Sequence, residues 1–78
     1  MRFATLEQLK LYKNTEVTLI VRGVHKTRNV FGILKDWSAH RTYLEKVKDA
    51  GPRQITEKDS FHNGHILSIT TADGKVWK

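Results

Sequence analysis

The chain contains no cysteine and a single proline. Without cysteine there is no disulfide and no thiolate ligand for a structural zinc. The longest apolar run, Leu19-Ile20-Val21, is far short of the ~20 residues a membrane span needs. Met1-Arg2-Phe3-Ala4-Thr5 leads at once into a charged amphipathic stretch, so no secretory signal is expected. Acidic residues are few, 8 against 14 Lys and Arg. Asp36, Glu45, Asp59 and Asp73 show no paired-carboxylate or His-Asp spacing, and Ser38 near His40 lacks a nucleophile elbow, so no enzyme is expected. With 28% charged residues, one proline and two tryptophans, the chain is not expected to be disordered.

What remains is a short, basic chain. Its 78 residues allow one domain, residues 1–78. The 38% hydrophobic content supports a small core. A domain of this size buries only about 60% of its unfolded surface and usually needs a disulfide, a metal or a partner subunit. With no cofactor or metal site in view, oligomerisation or very economical packing is left. A cytoplasmic location is the expectation.

The net charge of +6 is not spread evenly. Residues 22–48 hold Arg22, Lys26, Arg28, Lys35, Arg41, Lys46 and Lys48, opposed only by Asp36 and Glu45. His25 and His40 lie in the same span. Such a field suits an anionic partner, most simply nucleic acid, or else a solvated basic surface.

Thr5-Leu6-Glu7-Gln8 has the form of a capping box, and Leu6, Leu9 and Tyr12 follow on one stripe, which predicts a helix over about 5–13. From Glu16 the period changes. Five short strands are expected, over about 16–22, 30–37, 42–48, 54–61 and 66–71. Gly32 interrupts the second and marks a bend or a close backbone approach. Asp49-Ala50-Gly51-Pro52 and Asp73-Gly74 are turn signals, and Asn63-Gly64 suits a type I′ hairpin. The pattern is mainly β: one short N-terminal helix, then a strongly bent antiparallel five-stranded barrel of the SH3-like kind.

Two local patterns point to a family. Gly32-Ile33-Leu34-Lys35-Asp36-Trp37 looks like the start of the Sm1 motif, and Phe61-His62-Asn63-Gly64-His65-Ile66-Leu67-Ser68-Ile69 looks like the Sm2 motif. Over roughly residues 5–71 the chain resembles the Sm-like proteins, a family that includes the bacterial Hfq-type RNA chaperones. It departs from them where Ser38-Ala39-His40-Arg41-Thr42 replaces the usual Asp and Asn, and where Asn63-Gly64 replaces Arg-Gly. The resemblance implies a homo-oligomeric ring in which the fourth strand of one subunit pairs with the fifth of the next. It also implies single-stranded RNA bound at loops near the pore.

On that reading Trp37, His40 and Arg41 form one contact loop, and His62, Asn63 and His65 the other. Trp37 either stacks on a base or packs in a core or subunit interface. Asn63 either reads a base edge or is plain turn chemistry. His62 and His65 form a pair without a third metal ligand in view. Arg22, Lys26 and Arg28 either rim the site as phosphate contacts or form a solvated loop. The expected function is RNA binding by an Sm-like ring. The alternative is a protein-interaction adaptor on the same barrel, with no RNA role.

Overall fold

The computed structural model describes the backbone of residues 1–78 and the side chains of all but residues 48–50. The β-branched stretch at Glu16–Arg22 forms β1, at the bounds its alternation predicts. Val17, Leu19 and Val21 turn inward and are buried, while Thr18 and Ile20 are half-buried on the other face. Strand β2 (Thr27–Trp37) is longer than expected. Its polar start, Thr27-Arg28-Asn29, continues the ladder because it pairs with Arg22, Val21 and Ile20. β3 (Arg41–Ala50) and β4 (Arg53–His62) are also slightly longer, and β5 (Ile66–Thr71) has its expected bounds.

A sixth strand, β6 (Val76–Trp77), lies in what the sequence leaves as a tail after Asp73-Gly74. The expectation of five strands is corrected accordingly. All pairings are antiparallel, and the open sheet has the order β4-β3-β2-β1-β5-β6.

The sheet curls for identifiable reasons. The register shifts by one residue between Leu34 and Asp36 against β3, and between Ile20 and Val21 against β5, and such bulges sharpen local twist. At Gly32 a Cβ would lie 3.2 Å from the Glu45 carbonyl oxygen and 3.3 Å from the Leu44 Cβ, so the glycine allows the close approach that the sequence suggests. Three residues, Asn63–His65, carry the chain from edge strand β4 to β5. Three residues reach at most ~10 Å. The curl therefore brings the end of β4 next to the start of β5.

The inner face encloses a core that includes Leu19, Leu34, Leu44, Ile66 and Ile69. Leu6 and Leu9 from the N-terminal segment complete it, both fully buried. Burying one such leucine is worth about 1.5–3 kcal/mol. The segment differs from the single helix expected. It is a short α-helix, α1 (Phe3–Glu7), followed by a 3₁₀ turn at Lys10–Tyr12. The capping box does not form. Arg2 takes the N-cap position, and Thr5, now inside the helix, donates from its Oγ1 to the Lys78 carbonyl at 3.2 Å.

Asn14 ends the helical segment at φ 69°, and Gly51 and Gly74 supply the left-handed residues of the two turns foreseen there. The Asn63-Gly64 hairpin is a further correction. β4 and β5 are not paired with each other, neither residue has positive φ, and the link is a 3₁₀ turn. Among the described residues no helix is long and apolar enough to cross a membrane.

Candidate nucleic-acid interface

The curl places two turns side by side: Ser38-Ala39-His40, between β2 and β3, and Asn63–His65, between β4 and β5. Asn63 ties them together and is buried, with 4% exposure. Its Oδ1 accepts from Thr42 Oγ1 at 2.7 Å, and its Nδ2 donates to the Ser38 carbonyl at 2.9 Å. Its backbone N–H donates to the His40 carbonyl at 2.8 Å. Its own carbonyl accepts from the Met1 amine, which also donates to the Ile66 carbonyl at 2.9 Å. Every polar group of Asn63 is thus engaged inside the fold. Buried and held at both amide atoms, it presents no exposed edge for reading a base, the role the resemblance implies.

Trp37 also turns inward. It is half-buried against the core, and its Nε1–H donates to Glu7 Oε1 at 3.2 Å. The hydrogen bond from Lys10, then that from Trp37, holds the Glu7 carboxyl below its ordinary range. The core alternative foreseen for Trp37 matches this placement. It anchors α1 on the sheet.

The remaining loop residues point outward. His40, Arg41, His62 and His65 are all exposed. Arg41 pairs with His62 across the β3–β4 ladder, so the two turns present their side chains together. The Arg41 guanidinium rests on Ser60, with Nη2 at 3.0 Å from Ser60 Oγ and Nε at 3.2 Å. Ser60 is neutral, so this contact orients the guanidinium without cancelling its charge. His62 Nδ1 accepts from the Gly64 N–H at 3.1 Å, which ties the exposed ring to its own turn. The His62 and His65 rings lie 5.5 Å apart at a 46° tilt. Among the described residues no three His, Cys, Asp or Glu side chains cluster as a metal site would require.

The basic residues at the β1–β2 tip adjoin this corner. Val21 lies opposite Ile66, the residue after His65, so Arg22 follows directly beside it. Arg22, Lys26 and Arg28 are exposed. Arg28 lies within β2, opposite Val21, rather than in the loop expected for it. The tip itself is tight: a Cβ on Gly23 would be 2.2 Å from the Lys26 carbonyl oxygen.

Sequence reasoning missed Thr42, Ser38 and Ser60, which position the site from behind. Thr42 alternates with inward Leu44, a periodicity that could have placed its hydroxyl inside. It also missed a second surface. Phe31 (65% exposed) and Val47 (53%) stand with Ile33, Thr18 and Thr70 around a shallow concavity of about 580 Å³. Comparison with known proteins finds no matching family model, no matching curated protein and no matching solved structure.

Proposed function

We propose that the protein binds single-stranded RNA at the corner formed by His40, Arg41, His62 and His65, with Arg22, Lys26 and Arg28 as phosphate contacts. The observation that carries this reading is the Asn63 clamp, which fixes two turns so that four exposed cationic or stacking side chains share one surface. Imidazole rings stack on unpaired bases, and an oriented guanidinium contacts phosphate or a base face. On this proposal the curled sheet is a divergent Sm-like small barrel. An RNA-binding role goes with the cytoplasmic location expected from the sequence.

The test is fluorescence anisotropy with short labelled U-rich and A-rich RNAs. Binding at ~50 mM salt should weaken steeply as salt rises, with a log–log slope of about −0.7 per phosphate contact in single strands. No binding at that salt by folded protein overturns the reading.

The adaptor reading is favoured by a different observation, the exposed Phe31 and Val47 around their concavity. A stoichiometric protein partner that survives nuclease treatment and is lost in Phe31→Ser supports it. The ring implied by the Sm-like resemblance requires the outer edge of β5. Here β6 pairs along that edge at Ile69 and Thr70, and the Met1 amine sits on the Ile66 carbonyl. A ring of that kind would have to displace both.

A further inference from the structure

The sheet edge left open is β4. It runs for ten residues, Arg53–His62, paired with β3 from Arg41↔His62 to Ala50↔Arg53 without a register shift. Among the described residues no strand lies on its other side. Edge strands are normally blunted by proline, a bulge or a covering element, because a row of unpaired backbone groups recruits another strand. β4 has no proline and no bulge. Its protection rests on side-chain charge alone, and Arg53 to Lys58 are all exposed.

In one register those charges are self-complementary. A two-fold axis perpendicular to the sheet places residues of the same face opposite each other, so only alternate registers are allowed. With the axis at Thr56, Arg53 faces Asp59 of the second copy, Gln54 faces Lys58, and Ile55 faces Glu57. An axis at Glu57 sets that carboxylate against itself. An axis at Lys58 opposes two ammonium groups and sets Glu57 against Asp59. An axis at Ile55 pairs Arg53 with Glu57 but runs into the Gly51-Pro52 turn sooner, leaving a shorter ladder. Within its own chain Asp59 accepts from the Ser60 N–H and lies 3.7 Å from Lys46 Nζ, and a carboxylate retains acceptor capacity beyond those two contacts. Opposite charges directly across a strand pair are stabilising and like charges destabilising. We infer that two copies of this chain associate through β4, antiparallel and centred on Thr56, with reciprocal Arg53–Asp59 pairs joining the sheets into one.

This inference does not depend on RNA, and its test uses nuclease-treated protein. Because the chain has no cysteine, one introduced thiol reports the register. Directly opposed residues have Cα atoms about 4.5–5.5 Å apart, within disulfide range. Thr56→Cys should therefore oxidise to a covalent dimer. Lys58→Cys should not, because its two copies would be displaced by four residues, about 13 Å along the strands. Arg53→Glu should weaken the wild-type dimer roughly tenfold in sedimentation equilibrium, and Arg53→Glu combined with Asp59→Arg should restore it. The inference is overturned if folded wild-type protein is monomeric at millimolar concentration, or if Lys58→Cys crosslinks as readily as Thr56→Cys. A charge swap that fails to restore the dimer while the circular dichroism spectrum stays native also overturns it.

Discussion

Thr42 Oγ1 donates to Asn63 Oδ1 at 2.7 Å, and both residues are buried. Through this contact the start of β3 holds the turn that follows β4. Asn63→Ala removes the acceptor for Thr42 and the donor to the Ser38 carbonyl together. Leaving a buried polar group unpaired costs about 1–3 kcal/mol. The variant should lose about 2–4 kcal/mol in urea unfolding. On the proposed function its RNA affinity should fall as well, because the two turns that carry the exposed side chains lose their tie.

Two glycines should tolerate alanine differently. At Gly32 the nearest atoms, the Glu45 carbonyl oxygen at 3.2 Å and the Leu44 Cβ at 3.3 Å, both move with the β3 backbone, and a shift of a few tenths of an ångström relieves them. Overpacking of this kind costs about 1–3 kcal/mol. At Gly23 the obstacle is a backbone oxygen at 2.2 Å, which only reopening the β1–β2 turn relieves. Thermal unfolding should therefore rank Gly23→Ala below Gly32→Ala. A Gly23→Ala protein as stable as the wild type would contradict the tight tip.

The Tyr12 hydroxyl donates to Asp73 Oδ2 at 2.8 Å, and Thr71 Oγ1 donates to the other carboxylate oxygen. The hydrogen bond from Thr71, then that from Tyr12, lowers the Asp73 pKa. A depressed carboxyl stabilises the fold above its unfolded value, and that contribution is lost as pH falls through the folded value. The same contact raises the Tyr12 pKa. Its contribution is present below the unfolded tyrosine value and is lost as pH rises through the folded one. Stability measured from acid to alkaline pH should therefore fall on both limbs. In Tyr12→Phe the alkaline loss should shrink and the acid loss should be reduced, since Thr71 still donates.

Ser60→Ala separates orientation from charge at the corner proposed to bind RNA. It removes the Ser60 Oγ acceptor at 3.0 and 3.2 Å, leaving the Ser60 carbonyl at 3.3 Å. RNA affinity should fall a few-fold with an unchanged salt slope, because no phosphate contact is lost. Arg41→Ala should lower the affinity further and reduce the slope by about 0.7.

The sequence was legible where local pattern and tertiary demand agree. β1 and β5 have their expected bounds because β-branched alternation coincides with one buried face. The helix was misjudged because Leu6, Leu9 and Tyr12 recur every three residues, a spacing that serves a three-per-turn 3₁₀ turn as well as an α-helix. Thr27 and Arg28 are in a strand because β1 is long enough to pair them, which their own polarity does not signal. β6 is two residues long, too short to show a period. At the candidate site, residue type alone nominates the histidines and Arg41, and the structure adds that they are exposed. Trp37 and Asn63 turned inward because Glu7 and Thr42, both distant in sequence, offered partners.

Asn63-Gly64 is also the dipeptide most prone to deamidation, in which the glycine nitrogen attacks the asparagine side-chain carbonyl. In the folded chain both participants are engaged elsewhere: the Gly64 N–H donates to His62 Nδ1, and the Asn63 amide is held between Thr42 and Ser38. Ring closure requires the Asn63 side chain to leave its contacts with Thr42 and Ser38, so opening of the corner favours the reaction. The carboxylate it leaves has no N–H to donate to the Ser38 carbonyl, so a converted chain opens more readily than before. The clamp therefore also guards the Asn63 amide chemically, and the fraction of chains in an aged sample that have lost it should rise with how often the corner comes apart.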